Sequence, residues 1–227
     1  RLLNSRVEWA LKVGAKKAGL GLPLHDPARE RLIFERLHAR NQSAGGPLDE
    51  IAVTAIYREI ISACRNAEQA TKVAFLGPAG TNTQEAAIQY FGSAFTPVAC
   101  ATPDEIAASV VRGRVAGGAD YGVIAIENSI EGVVSANLDL LANSDLAICG
   151  EIELIIHLCL LSKCELHEIE KIYSHPHALA QCRQWLAQQL PKAALIPVSS
   201  TARGAEIAAT EKGAAAIGSA LAGDIYG

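Results

Sequence analysis

The chain has 227 residues, half of them hydrophobic and 19% charged, with a formal net charge of -4. That balance suits one large packed domain or two small ones, and it excludes a disordered chain and a basic nucleic-acid binder. No apolar run reaches the roughly 20 residues of a membrane helix, secretory features are absent, and six cysteines without a CxxC pair suggest neither a zinc site nor a disulfide framework, so a reducing cytoplasm is expected.

Residues 1 to about 70 carry helical spacing throughout. Leu3, Val7, Ala10, Leu11 and Gly14 recur along one stripe, which stops in the Gly19–Gly21–Pro23 stretch. Asp26-Pro27 starts a second helix. The Asp accepts from free amides, and Pro in the first turn lacks only an amide that would go unpaired. Leu32, Ile33 and Leu37 carry this helix to about Asn41. A turn over 43–47 leads to a third, with an expected inner stripe of Ile51, Ala55, Ile56, Glu59, Ile60 and Ala63. So small a helical core predicts a homodimer.

From Lys72 the texture changes. Short apolar runs (Val73–Leu76, Val98–Ala101, Gly122–Ile126, Ile155–Leu161, Ile172–Tyr173, Leu195–Val198, Ala214–Ile217) alternate with helical stretches over 82–90, 103–112, 133–141, 178–190 and 202–211. This predicts an α/β domain with a mostly parallel sheet. The expected domains are 1–70 and 71–227. Glu68–Thr71 is too short for a flexible linker, so the two parts should pack closely.

Arg6 and Lys17, eleven residues apart, fall near one face of the first helix, while Asp26, Arg29 and Glu30 open the second. Cations and a Glu gathered at a turn suit a dianionic metabolite. Composition alone favours the plainer reading, a solvated helix surface. In the α/β part, Gly77-Pro78-Ala79-Gly80-Thr81-Asn82-Thr83 joins a strand to a helix and is either an anion site or an ordinary tight connection. Ile126-Glu127-Asn128-Ser129-Ile130-Glu131-Gly132 and Ser174-His175-Pro176-His177 follow strands, where α/β folds place ligands. Ser199-Ser200-Thr201 precedes a helix and is at least a good N-cap. His175 and His177 lack a clear third ligand, so no metal is assigned. Dinucleotide and phosphate-loop fingerprints are absent.

The strings LLNSRVEWALKVGAKK, PLHDPARERLIFERL and AIYREIISACRNAEQ resemble the all-helical chorismate mutase family. The resemblance puts Arg6, Lys17, Asp26, Arg29, Glu30, Cys64 and Glu68 at that family's active-site positions. Cys64 stands where Ser is also found, and Glu68 where Gln or Glu lies beside the substrate ether oxygen. It implies that Arg6 and Arg29 hold carboxylates and that Lys17 faces the ether oxygen. A Glu at position 68 must be protonated to donate, so mildly acidic pH should favour the mutase. The rearrangement of chorismate to prephenate is intramolecular and needs no cofactor. Members of the family also send an Arg, from an earlier part of the first helix, into the partner's site. That part is expected to be missing here, predicting a poor mutase.

The strings KVAFLGPAGTNTQEAA, YGVIAIENSIEGVV, EIELIIHLCLL, IYSHPHALAQC, SSTARGAE and AAAIGSALAGDIYG are similar, in order and spacing, to the prephenate dehydratase family. That implies two α/β lobes like a type II periplasmic binding protein, with prephenate in the cleft. Thr81, Thr83, Glu127, Asn128, Ser174, His175, His177, Ser200 and Thr201 would line it, Asn128 and His177 as catalytic groups. His177 replaces a commoner Gln, and Asn82 a commoner aromatic residue. The family's Thr-Arg-Phe motif and its phenylalanine-sensing ACT domain, the route of feedback inhibition, are expected to lie outside this chain. Two plainer readings remain: a two-lobed small-anion receptor without chemistry, and a helical dimerisation module at residues 1–70.

Overall fold

A computed structural model describes residues 1–20, 26–113, 116–129 and 132–227. The expected loop at Gly21 to Pro23, and Ile130-Glu131 of the Glu127 motif, lie outside the described residues. Three helices open the chain: α1 (Leu2–Gly19), α2 (Pro27–Ser43) and α3 (Glu50–Glu68). The start of α2 is as the sequence predicts. Asp26 accepts from the Arg29 amide at 3.0 Å, with Pro27 in the first turn. Asp49 caps α3 in the same way through the Ala52 amide at 2.7 Å. No helix among the described residues is long and apolar enough to cross a membrane.

The buried face of α3 is not the expected stripe. Val53, Ser62, Cys64 and Arg65 are buried, whereas Ile51, Ala55, Ile56, Glu59 and Ala63 are exposed. The physical reason lies in what covers the helix. Ser62 and Arg65 face residues 91–94, at and just past the end of the next helix, while among the described residues nothing fully covers the apolar positions of the first turns.

The α/β part begins with β1 (Lys72–Leu76), α4 (Asn82–Phe91), β2 (Thr96–Cys100), α5 (Pro103–Arg112) and β3 (Tyr121–Val123). These strands make an all-parallel sheet of order β2-β1-β3. Next come β4 (Glu127–Asn128), β5 (Gly132–Val133) and α6 (Ser135–Ala142), then β6 (Cys159–Ser162), β7 (Lys171–Ser174), α7 (Pro176–Gln181), α8 (Arg183–Gln189), β8 (Ala194–Pro197), α9 (Thr201–Ala208), β9 (Ala214–Gly218) and α10 (Ala220–Tyr226). The second sheet has order β6-β9-β7-β8, parallel except for the antiparallel edge strand β6. The result is two α/β lobes. Central strands are buried on both faces, as parallel sheets require: Val73, Ala74 and Phe75 in β1, Ile172 in β7, and Ala214 through Ile217 in β9.

Several boundaries move, with a physical reason for most. The strand expected over 122–126 stops at Val123, because its partner β1 pairs only as far as Phe75 on that side. Glu127 and Asn128 instead pair antiparallel with Gly132 and Val133. The strand expected from Ile155 begins at Cys159. Cys159 pairs with Gly218, so an earlier residue would face Ser219, where the chain turns into α10. The helix expected over 178–190 is two short helices meeting at Cys182, a break that no Gly or Pro in the sequence marks.

Gly204 lets α9 lie directly on β7. A Cβ at Gly204 would sit 2.7 Å from the Tyr173 carbonyl oxygen. Gly204→Ala must therefore separate helix from strand. It is expected to destabilise the protein by about 1–3 kcal/mol, read as a lowered midpoint in urea.

Candidate active sites

Glu68 ends α3 and packs against α1: a Cβ at Gly14 would lie 2.9 Å from the Glu68 carboxylate. Glycine is what lets this carboxyl into the helix interface. One turn past Gly14 on the same helix is Lys17, half-buried. Burial pushes the Glu68 carboxyl above its ordinary range, while the charges of Lys17, Arg29 and Arg65 pull the other way. Lys17 comes from α1, Arg29 from the first turn of α2, and Glu68 from the last turn of α3, so one carboxyl collects charges from all three helices. Cys64 is buried one turn before Glu68.

Glu30 is paired with Arg65 at 2.9 Å. The Asp26 carboxylate serves as the α2 cap. Arg6 is exposed, about 16 Å along α1 from Lys17 at 1.5 Å per residue. The structure thus gathers Lys17, Arg29, Glu30, Cys64 and Glu68 at one end of the helices, with Asp26 beside them and Arg6 further out. Sequence reasoning passed over Arg65. Its signal was available: a cation three positions before Glu68, among the small uncharged residues Ser62, Ala63, Cys64, Asn66 and Ala67.

The second group forms where the carboxyl ends of both sheets meet. The hydroxyls of Thr81 and Thr83, 3.2 Å apart, both donate to the Leu76 carbonyl at the end of β1, at 2.6 and 3.1 Å. The Gly80 amide donates to Gln84 at 2.6 Å. Opposite stands the second lobe: Ser219 donates to the Gly80 carbonyl at 3.1 Å, and Tyr226 to the Ala79 carbonyl at 3.0 Å. Gly80 has φ +84°, and a Cβ there would meet the Ala222 backbone at 2.9 Å. The glycine loop is therefore a seat for the start of α10, a contact the sequence did not announce.

Ser219 follows β9 at the same carboxyl end of the second sheet as Ser174, His175 and the Ser199–Thr201 turn. The Val198 amide donates to the Ser174 carbonyl at 2.9 Å, which sets the Ser199–Thr201 turn beside the end of β7. Ser174 has no exposed surface, and its hydroxyl donates to the Ile217 carbonyl at 2.6 Å, so its side chain stitches β7 to β9. Ser200 caps α9 by accepting from the Arg203 amide at 3.0 Å, and Thr201 opens that helix. His175 caps α7, and its ring stands 5.0 Å from that of His177, which is exposed. Glu127 is exposed and Asn128 half-buried on the β4–β5 pair, which leads out from the end of β3. Asn137 pins that excursion by donating to the Ala125 carbonyl at 2.7 Å.

Comparison with known proteins bears on both groups. The profile of the family Prephenate dehydratase matches residues 73–227, and that of Chorismate mutase type II matches residues 1–69. A bifunctional chorismate mutase/prephenate dehydratase of Aquifex aeolicus (strain VF5) is 44% identical over 100% of this chain, and one of Pseudomonas aeruginosa is 41% identical over 99%. The chain spans 62% of the length of each of these relatives. Among solved structures, the prephenate dehydratase of Staphylococcus aureus subsp. aureus Mu50 aligns at TM-score 0.55 and 29% identity, covering 69% of this chain and 58% of that one. A second, described as GqqA, a novel type of quorum quenching acylase, aligns at TM-score 0.61 and 30% identity over 68% of this chain and 56% of its own.

Proposed function

The chain belongs to the prephenate dehydratase family, and from that premise we propose that the protein converts chorismate to prephenate in its helical part and prephenate to phenylpyruvate between its α/β lobes. The observation that carries the chorismate step is Glu68 flanked by Lys17 and Arg29 from separate helices; the prephenate step rests on the family match over residues 73–227. An intramolecular rearrangement asks only for a compact conformer and stabilised charge on the ether oxygen. Arg29 suits a substrate carboxylate through its planar fork, Lys17 suits the ether oxygen as a point charge, and protonated Glu68 adds a neutral donor. In the second step the ring carboxylate leaves as carbon dioxide. Its electron pair aromatises the ring, and the ring hydroxyl departs as water once protonated. Thr81 and Thr83, held at the end of β1 with their hydroxyl protons given to the Leu76 carbonyl, offer oxygens that can accept from prephenate, while Asn128 orients it and the His177 imidazole supplies that proton.

A homodimer is part of the same proposal. Leu2, Leu3, Trp9, Ile51 and Ile56 are large apolar side chains left exposed on α1 and α3, and a second copy would cover them.

Supplying the protein separately with chorismate and prephenate tests the reading. Prephenate from the first and phenylpyruvate from both are expected. Turnover of neither would leave a two-lobed receptor, and hydrolysis of an acyl amide instead would move the chain toward the acylase. One variant probes the lobe contact: Gly80→Ala strains a positive φ and collides with Ala222. Its expected effect is a loss of about 2–4 kcal/mol in stability, with a raised KM for prephenate and an unchanged KM for chorismate.

A further inference from the structure

Among the described residues Arg65 is the one charged residue in the buried set, 7% exposed. Its guanidinium is satisfied in two directions. Nη1 donates to Glu30 Oε1 at 2.9 Å, and Nη2 donates to the Phe91 carbonyl at 2.6 Å, with the group 5.5 Å from the centre of the Phe91 ring. Phe91 is the last residue of α4, where carbonyls lack helical partners and a cation is favourable. The surrounding contacts are built for close approach. The Ser93 amide donates to Glu59 at 3.0 Å and the Ala94 amide to Ser62 Oγ at 3.2 Å. Gly92, at φ +75°, leaves space that a Cβ would fill 2.5 Å from Ser62. At the opposite end of α4, about 15 Å away at 1.5 Å per residue, are Thr81 and Thr83.

We propose that Arg65 is a positioning residue: it fixes the Glu30 carboxylate within the helical charge cluster and anchors that cluster on the carboxyl end of α4, setting its distance from the glycine-loop site. The role of Glu30 in turnover rests on the mutase reading given above. A planar fork is what the geometry demands, since a Lys at 65 reaches one of the two acceptors but not both. Arg65 also acts on Glu68, which sees Lys17 from α1, Arg29 from α2 and Arg65 on its own helix, with Glu30 partly neutralising Arg65. A merely mechanical clamp would hold the parts together without governing that titration.

The test uses the intact protein as wild type, R65Q, R65K, E30Q and the E30Q/R65Q double variant. Chorismate turnover, prephenate turnover and the carboxyl titration of Glu68 by carbon NMR are followed. R65Q is expected to lower kcat/KM for chorismate about 10- to 100-fold, the range for outer residues that orient a ligand-binding group. Prephenate conversion should stay within about twofold, and the Glu68 midpoint should move to higher pH. The double variant should be no worse than the poorer single one, because both remove the same contact. R65K should keep the Glu68 midpoint but not the turnover, and it serves if R65Q does not fold. Unmoved turnover and titration in R65Q would overturn the proposal, as would parallel loss of both activities with the midpoint unchanged. If the wild type leaves chorismate untouched, the mutase reading fails on its own, and the Glu68 titration in R65Q still decides whether Arg65 governs the cluster.

Discussion

Glu68→Gln should flatten the pH profile of chorismate rearrangement. The wild type should lose about tenfold in kcat/KM for each pH unit above the Glu68 titration. The sign follows from the environment. Burial raises the carboxyl and outweighs the opposing charges of Lys17, Arg29 and Arg65. The protonated, donating form therefore persists to higher pH than in an exposed Glu, and activity is full below the raised value and lost as pH climbs through it. Gln donates at every pH, so the variant should overtake the wild type on the alkaline side. A wild-type profile flat between about pH 5 and 8 would mean that Glu68 does not act as a donor.

Arg29→Ala carries the other large effect. Arg29 opens α2 directly after the Asp26 cap, and its charge acts on Glu68 across the helix interface. Removing a preorganised charge that faces a substrate anion lowers turnover by about 10²- to 10³-fold. Chorismate conversion should fall by that factor, while prephenate conversion and elution volume on size exclusion remain those of the wild type. The exposed position of Arg29 makes this separation possible, because its truncation opens no cavity. Loss of the dimer with chorismate turnover intact would instead favour a helical dimerisation module.

Local chemistry in the sequence went far toward the fold. Asp26-Pro27 located the start of α2, and the Val73, Ile172 and Ala214 runs located the three most deeply buried strands, because caps and continuous apolar runs are local signals. Periodicity misjudged α3. The apolar positions Ile51 and Ile56 looked like an inner stripe, yet the face covered within the chain carries Ser62 and Arg65, whose partners at Phe91 to Ala94 lie some 30 residues away. Strand ends were equally illegible, since β3 stops and β6 starts where β1 and β9 cease to offer partners on those sides. For the candidate sites, Lys17, Arg29, Glu30 and Glu68 were visible as residue types at suggestive places, and the structure adds their electrostatic coupling. Ser174 was visible too, but only the register shows its hydroxyl turned into the sheet toward Ile217. The seating of Gly80 on Ala222 and Ser219 joins residues about 140 positions apart, beyond the reach of any local pattern.

The central claim is that the two charge and hydroxyl clusters perform consecutive steps, and one time course tests it most directly. Chorismate alone is given to the intact protein, and chorismate, prephenate and phenylpyruvate are quantified together. The account predicts that prephenate rises first and phenylpyruvate follows after a lag, with the sum of the three constant. Prephenate that accumulates without phenylpyruvate, or chorismate that never declines, would contradict it.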